Sequence, residues 1–350
     1  MTNSPALGDT AAGGTALSDA APRDVAAGGP APGDAVTGGS ATTDSATAAL
    51  VELSRQLGRP DRRWAVLAEG NASVTLGDGR MRVKASGVSM AIAEPGDFVE
   101  MDTAAVLRLV DAAEETHPDD RGAGDLGDAV TRPATDTTAD DEAVRALFAA
   151  ASPGGRRPSV EALLHAVCLD LPGVDAVGHT HPVPVNALLC SPLASLLVDG
   201  SLFPDQIVVL GTDPLLVPYL DPGLKLARAV RRMLRDRIAA TGAAPKVVYL
   251  QNHGMFALGA STAEVLQVTE MAVKVAEVIL GSLPAGGPVF LHAADVARID
   301  TRPDELLRRA ALAAATAAPA PVVAPTGPAR TSGSTTPDTL TDRTPDGAIR

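Results

Sequence analysis

The sequence predicts a single α/β domain, and three observations carry that expectation. Short apolar runs alternate with stretches at helical spacing, so strands and helices interleave along the chain. Gly77-Asp78-Gly79 separates two β-type runs near the start and reads as a hairpin turn. The stretches able to build a core amount to roughly 270 residues, within the size that one hydrophobic core supports.

The remainder has a different composition. Residues 1–45 are almost entirely Ala, Gly, Pro, Asp, Ser and Thr, with Ala-Ala-Gly-Gly at 11–14 recurring at 26–29. Residues 317–350 are rich in Pro, Thr and Asp. Neither segment can bury enough apolar surface to offset its ordering entropy, so both are expected to be disordered tails. Between them lie a domain at 46–285, interrupted by an acidic, aperiodic insertion at 114–140 expected to be a mobile loop, and a helical extension at 286–316.

The formal charge of −13 sits in the same low-complexity segments: residues 1–50 carry −4, residues 111–142 carry −9, and the rest is neutral. No basic stripe or RNA-binding aromatic motif is present, which argues against a nucleic-acid partner. Cys168 and Cys190 fall in apolar or helical patterns and read as buried free thiols in a reducing compartment. No apolar run reaches the ~18–20 residues of a membrane span, and no basic segment with an apolar core opens the chain. The expectation is a soluble, cytoplasmic protein.

In order, a helix is expected from about Ser45 to Leu57, with Leu50, Leu53 and Leu57 on one face and Gly58 ending it. Glu69-Gly70-Asn71 is a tight turn leading into a strand, and Met81–Lys84 is the strand returning from the hairpin. Ser86-Gly87 is a second small-residue turn that strand pairing brings beside the first. Asp97–Asp102 reads as a strand, 103–111 as a helix and 141–150 as another. Ser159 reads as the N-cap of a helix running to about Leu169, with Glu161 in its first turn. A buried strand ends in His179-Thr180-His181, and Pro182 stops it. A helix around Pro184–Cys190, strands at Gln206–Leu210 and Leu215–Val217, and a helix from Asp221-Pro222 to Gly242 follow. Lys246–Leu250 is a β-run closing on Asn252-His253-Gly254, and Met255–Leu258 returns. Ser261 and Glu264 form a capping box that opens a helix to about Leu280, ended by Gly281; a last helix lies near 303–314.

Side chains two apart on a strand share a face, so His179 and His181 point into one space. Two imidazoles aimed at one point suit a divalent transition metal such as zinc. A catalytic zinc takes three protein ligands and keeps a position open, and His253 is the preferred third; its glycine neighbour lets the backbone turn sharply. His165 and His292 compete for that place, His165 reading as a packed helix residue, while His117 reads as a solvated histidine of the insertion. Glu161, near a helix N-terminus and a dication, would be held ionised and is the candidate acid/base. Gly70-Asn71, Ser86-Gly87 and Ser159 place backbone N–H groups or small donors at turns and a helix start, where anions bind. Plain turn and packing chemistry is the competing explanation for each of these features.

Taken together, Gly-Asn-x-Ser at 70–73, Ser-Gly-Val at 86–88, Ser-x-Glu at 159–161, His-Thr-His-Pro at 179–182 and Asn-His-Gly at 252–254 resemble the class II aldolase/adducin family over about residues 46–282. The resemblance implies a three-layer α/β/α fold with a central, mostly antiparallel sheet, often assembled as a cyclic tetramer with sites at subunit boundaries. It implies one zinc per subunit on His179, His181 and His253, and Glu161 as acid/base and resting-state metal neighbour. Gly70, Asn71, Ser86, Gly87 and Ser159 would line the phosphate or polar end of a sugar or sugar-phosphate substrate. The implied activity is retro-aldol cleavage of a ketose or ketose 1-phosphate through a metal-stabilised enediolate. Epimerase, dehydratase or decarboxylase chemistry on the same fold, or a non-catalytic adducin-like module, are the alternatives. Epimerases of the family carry Asp where this chain has Glu161, which favours aldol chemistry, and adducins lack the metal histidines, which favours an enzyme. Two departures stand out: Ala68-Glu69 and Val160 replace the Thr-Ser pair and the second serine of the deoxysugar-phosphate aldolases. Glu69, with Phe203-Pro204-Asp205, looks more like the aldolase half of rhamnulose-phosphate aldolase/dehydrogenase fusions. Tyr219, in a Pro-rich loop, is a weak candidate for the proton-shuttling tyrosine of the fuculose enzymes.

Overall fold

The structure is a computed structural model that describes residues 38–112, 138–152 and 155–317. Among these, seven strands form one sheet: β1 Asn71–Gly77, β2 Arg80–Lys84, β3 Phe98–Asp102, β4 Ala176–Thr180, β5 Leu215–Val217, β6 Val247–Leu250 and β7 Gly254–Gly259. Their spatial order is β3-β2-β1-β4-β7-β6-β5. Every neighbouring pair is antiparallel except β5–β6. The exception has a topological cause, since a parallel pair needs a crossover and a long helix supplies it between those two strands.

Helices cover both faces, giving the expected three layers. The period-2 alternation of the strands sends Val83, Val177, Val248 and Phe256 to one side, where they pack with α2 Thr103–Asp111, α4 Ala162–Leu169 and the crossover helix α7 Leu224–Thr241. Ala72, Val74, Ala176, Tyr249 and Met255 face the other side with α1 Gly38–Leu57, α5 Val183–Leu189 and α8 Thr262–Ser282. Helix α3 Thr138–Ala151 joins the first layer through Val144 and Phe148. Helix α6 Pro204–Leu210 sends Leu210 into the second core, while α9 Ala293–Thr301 and α10 Pro303–Ala317 pack against α6.

Several elements differ from the sequence expectation. Helix α1 starts at Gly38 rather than near Ser45. Residues 206–210, a β-branched run, form a helix: Pro204 occupies its first turn, Gly211 ends it at φ +72°, and burial of Gln206, Ile207 and Leu210 outweighs local propensity. Helix α4 begins at Ala162 with Glu161 as its N-cap, one position that neither Ser159 nor the expected first turn fills. Helix α8 runs through Gly281 to Ser282. Its capping box is only half formed, for Ser261 Oγ accepts from Glu264 N at 3.1 Å while the Glu264 carboxylate turns to Ala260 N and Lys246. Helix α9 falls within the helical extension expected at 286–316, where the sequence pattern sets no bounds for it. Cys168 is buried, whereas Cys190 is exposed at the end of α5. Residues 1–37, 113–137, with His117, and the tail beyond 317 lie outside the described residues. Among the described residues no helix is long and apolar enough to cross a membrane.

Candidate metal centre

The site forms where the central strands end. Antiparallel pairing sets Asn71 of β1 opposite His179 of β4, and Phe256 of β7 opposite His179 on its other side. Residues opposite one another share a face, so Asn71 and His179 both look toward α4. His181 lies just beyond β4, its backbone N–H bonded to the Trp64 carbonyl at 2.7 Å, and the turn between β6 and β7 delivers His253. Glu161 arrives at the N-terminus of α4, where its side chain leaves the helix end uncapped and faces the histidines instead.

One ligand atom from each of Glu161, His179, His181 and His253 lies within 4.8 Å of every other. His179 Nε2 is 2.9 Å from His181 Nε2 and 3.1 Å from Glu161 Oε1, and His253 Nε2 is 2.9 Å from the same oxygen. The far ring atoms of two histidines are occupied. His179 Nδ1–H donates to the Met255 carbonyl at 3.0 Å, and His181 Nδ1–H to Glu69 Oε2 at 3.1 Å. Such outer partners fix the tautomer, leaving each Nε2 with a bare lone pair. Two lone pairs facing at that distance repel unless a cation lies between them, so the donor set fits a divalent metal. Zinc, with tetrahedral preference and imidazole and carboxylate ligands, matches it. His253 is the exception, since its Nδ1 is buried without a hydrogen-bond partner among the described residues.

Electrostatics follow from burial and proximity. Burial alone would push the Glu161 carboxyl up, but His179 and His253 outweigh it and hold it well below the usual range. Burial, reinforced by His179, lowers the His181 imidazole to about 4, so it is neutral and available as a ligand near pH 7.

The sequence-derived binding residues also converge. Asn71 Nδ2 donates to Glu161 Oε2 at 2.5 Å and to Ser159 Oγ at 3.1 Å. Ser86 N bonds the Arg157 carbonyl at 2.9 Å, which draws the exposed Ser86-Gly87 turn against the 157–159 segment. Gly70 has φ +71°, and a Cβ there would sit 2.9 Å from the His179 carbonyl, so only glycine lets β1 enter this close to β4. The other histidines and Tyr219 lie elsewhere. His292 caps α9 by accepting from Ala294 N, and Tyr219 is exposed and donates to Asp221. His165 is fully buried with its ring on Ser73 and Asn71.

The glycine of Asn-His-Gly has a different purpose from the one expected. The sharp turn is made by Asn252, at φ +55°. Gly254 instead has the His181 ring against its backbone: a Cβ would overlap that ring and lie 2.6 Å from the Thr180 carbonyl. Gly254→Ala is therefore expected to destabilise the metal-free protein by about 1–3 kcal/mol and, by displacing His181, to weaken any divalent metal held by the four-residue cluster. Denaturant unfolding and zinc titration measure both; wild-type zinc affinity in the variant would refute the steric explanation.

Sequence reasoning missed Lys84, which strand alternation places on the face of Arg82, where a lysine reads as solvent-facing. It is 1% exposed, and its Nζ donates to the Val88 carbonyl at 2.6 Å, fastening the Ser86-Gly87 turn. Burial pulls its ammonium down to about 8 against the upward pull of Glu161 and Asp97. Unfolded lysine titrates near ~10.4. Below the folded value both states hold the proton and the cost of burying the charge is present in full. Between the two values only the unfolded chain stays protonated, so stability should rise with pH, by up to ~3 kcal/mol in total. Lys84→Met should lack that rise in urea unfolding series; parallel slopes in both proteins would show that the ammonium is not desolvated.

Comparison with known proteins gives one family match and several likenesses of fold. Residues 48–280 match the family model for the Class II Aldolase and Adducin N-terminal domain. YgbL from Escherichia coli, provisionally described as an aldolase/epimerase/decarboxylase, is 20% identical at a TM-score of 0.51, over 74% of this chain and 99% of that one. An aldolase II superfamily protein from Pseudomonas syringae is 15% identical at 0.51, over 79% and 94%. An L-fuculose 1-phosphate aldolase is 18% identical at 0.50, over 73% and 94%. At these identities the likeness is one of fold. No curated protein sequence matches the chain.

Proposed function

Because the chain belongs to the class II aldolase and adducin family, matched over residues 48–280, we propose that it is a zinc-dependent aldolase cleaving a ketose or ketose 1-phosphate. The observation that carries this reading is the meeting of three imidazoles and one carboxylate within 4.8 Å. His179, His181 and His253 would hold the metal, one per subunit. Bound there, zinc supplies Lewis-acid stabilisation of the negative charge that develops on the substrate when its carbon–carbon bond breaks.

The chain's own groups account for the proton. Glu161 Oε2 is engaged by Asn71, while Oε1 faces His179 and His253. Kept ionised, that oxygen can take the proton from the carbon next to the carbonyl in the condensation direction; in cleavage the proton released as the substrate hydroxyl becomes the aldehyde carbonyl reaches the carboxylate, which passes it to that carbon. Gly70, Asn71, Ser86, Gly87 and Ser159 would line the polar end, where the Ser86 and Ser159 hydroxyls would meet the substrate's hydroxyl or phosphate oxygens, while the Asn71 amide, already given to Glu161 and Ser159, holds its neighbours in place. Glu69 has both oxygens committed, one to His181 and one to Val66 N at 2.6 Å, so it orients the metal side of the pocket rather than binding substrate. The exposed Leu67, two positions before Glu69, and Ile92 are apolar surface of the kind that a subunit contact covers, and a cytoplasmic homotetramer is the assembly we favour. Residues 46–285 would be the catalytic domain, with 286–316 an extension and both ends tails.

The test is elemental analysis of the purified chain, followed by product analysis on a panel of ketoses and their 1-phosphates. About one zinc per chain and release of an aldehyde are expected. A zinc-free protein without activity would mark an adducin-like module, and an epimer or a decarboxylated or dehydrated product would replace cleavage with that reaction.

A further inference from the structure

The mechanism above makes no use of His165, although its ring is fully buried one helical turn after Glu161. Both ring nitrogens have polar partners. Nδ1 lies 2.6 Å from Ser73 Oγ, and Nε2 contacts Asn71 Oδ1. Ser73 and Asn71 stand two apart on β1 and so share the face that α4 covers.

The direction of each hydrogen bond is forced from one end. A carboxylate only accepts, so Asn71 must turn its NH2 toward Glu161. Its carbonyl oxygen then faces His165, and Nε2 must carry the ring proton. Nδ1 is left bare and accepts the hydroxyl hydrogen of Ser73. Burial, reinforced by His179, lowers the His165 imidazole to about 3, which keeps the ring neutral as this arrangement needs.

We propose that His165 is a positioning residue: its Nε2–H locks the Asn71 amide in the one orientation that presents N–H to Glu161 and so aims the carboxylate at the substrate carbon. The proposal rests on the reading of Glu161 as acid/base. Without the His165 donor the Asn71 amide can rotate, and a carbonyl oxygen turned toward Glu161 repels the carboxylate from its place. The competing role is packing alone, against the Phe256 ring at a centroid distance of 5.3 Å.

Two measurements decide between them. Long-range proton–nitrogen NMR of the metal-free, 15N-histidine-labelled chain should show His165 as the neutral Nε2–H tautomer from about pH 5 to pH 8. The Nδ1–H tautomer would overturn the proposal, because Nε2 would then accept from Asn71 and the carbonyl would face Glu161. The second measurement uses zinc-loaded protein with dihydroxyacetone or dihydroxyacetone phosphate, following exchange of the carbon-bound proton into D2O. His165→Leu should slow exchange roughly 10–100-fold, the scale of a misplaced catalytic group, with zinc stoichiometry and affinity unchanged. His165→Gln, which keeps a donor near the Nε2 position, should recover most of the rate. Wild-type exchange in His165→Leu, or equal losses in both variants, would reduce His165 to packing. Glu161→Gln measured alongside separates the two ideas: if it exchanges like wild type, the acid/base assignment fails, while the tautomer still reports on the hydrogen-bond direction.

Discussion

His181→Ala is expected to abolish tight zinc binding and turnover together while the chain remains folded. His181 sits beyond the end of β4, is partly exposed and packs no core, so its loss leaves the sheet and both apolar layers in place. What it removes is one of three nitrogen donors, together with the contact that Glu69 makes at Nδ1. Loss of an outer partner alone typically costs roughly 10–100-fold in metal affinity, and loss of the ligand itself should exceed that. Chelator competition measures the affinity, and thermal unfolding of the metal-free protein checks the fold. Zinc held by His181→Ala at wild-type affinity would remove this histidine from the metal site.

Glu161→Gln separates chemistry from metal binding. The amide has the shape of the carboxylate and can present its oxygen to Asn71, so the surroundings should hold. It cannot accept the substrate proton, and general acid–base catalysis is worth typically 10²–10⁴-fold. The variant should keep zinc on the three histidines and lose aldehyde release by roughly that factor. An active Glu161→Gln enzyme would refute the acid/base role, whatever the metal content.

Local patterns made most of this architecture legible. The hairpin at 77–79, the apolar run into His179-Thr180-His181 and the Gly242 stop of α7 depend on neighbours in sequence, and each stands where the pattern put it. Residues 206–210 misled because β-branched residues favour strands only where a pleated surface awaits them; here the burial is against helices. At the site, the residue types of the candidate ligand set were readable, since His-x-His on a strand sends both imidazoles to one face and Asn-His-Gly closes a second apolar strand. The purposes of Gly254, Lys84 and His165 were not readable. Gly254 and His165 are defined by partners distant in the chain, the His181 ring and Asn71, and Lys84 by a burial that strand alternation does not foretell.

The sequence by itself determined which groups were available, three imidazoles and a carboxylate at the ends of apolar elements, and that a layered α/β domain would carry them. Only the tertiary structure decided which atoms face one another. Strand register sets Asn71 against His179, helix α4 lays Glu161 and His165 across both, and the β6–β7 turn returns His253 from the far side of the chain. The physical reason is that hydrophobic patterning is a short-range code, satisfied within a few residues, whereas hydrogen-bond direction and ligand geometry are fixed by distances between segments that only packing brings together.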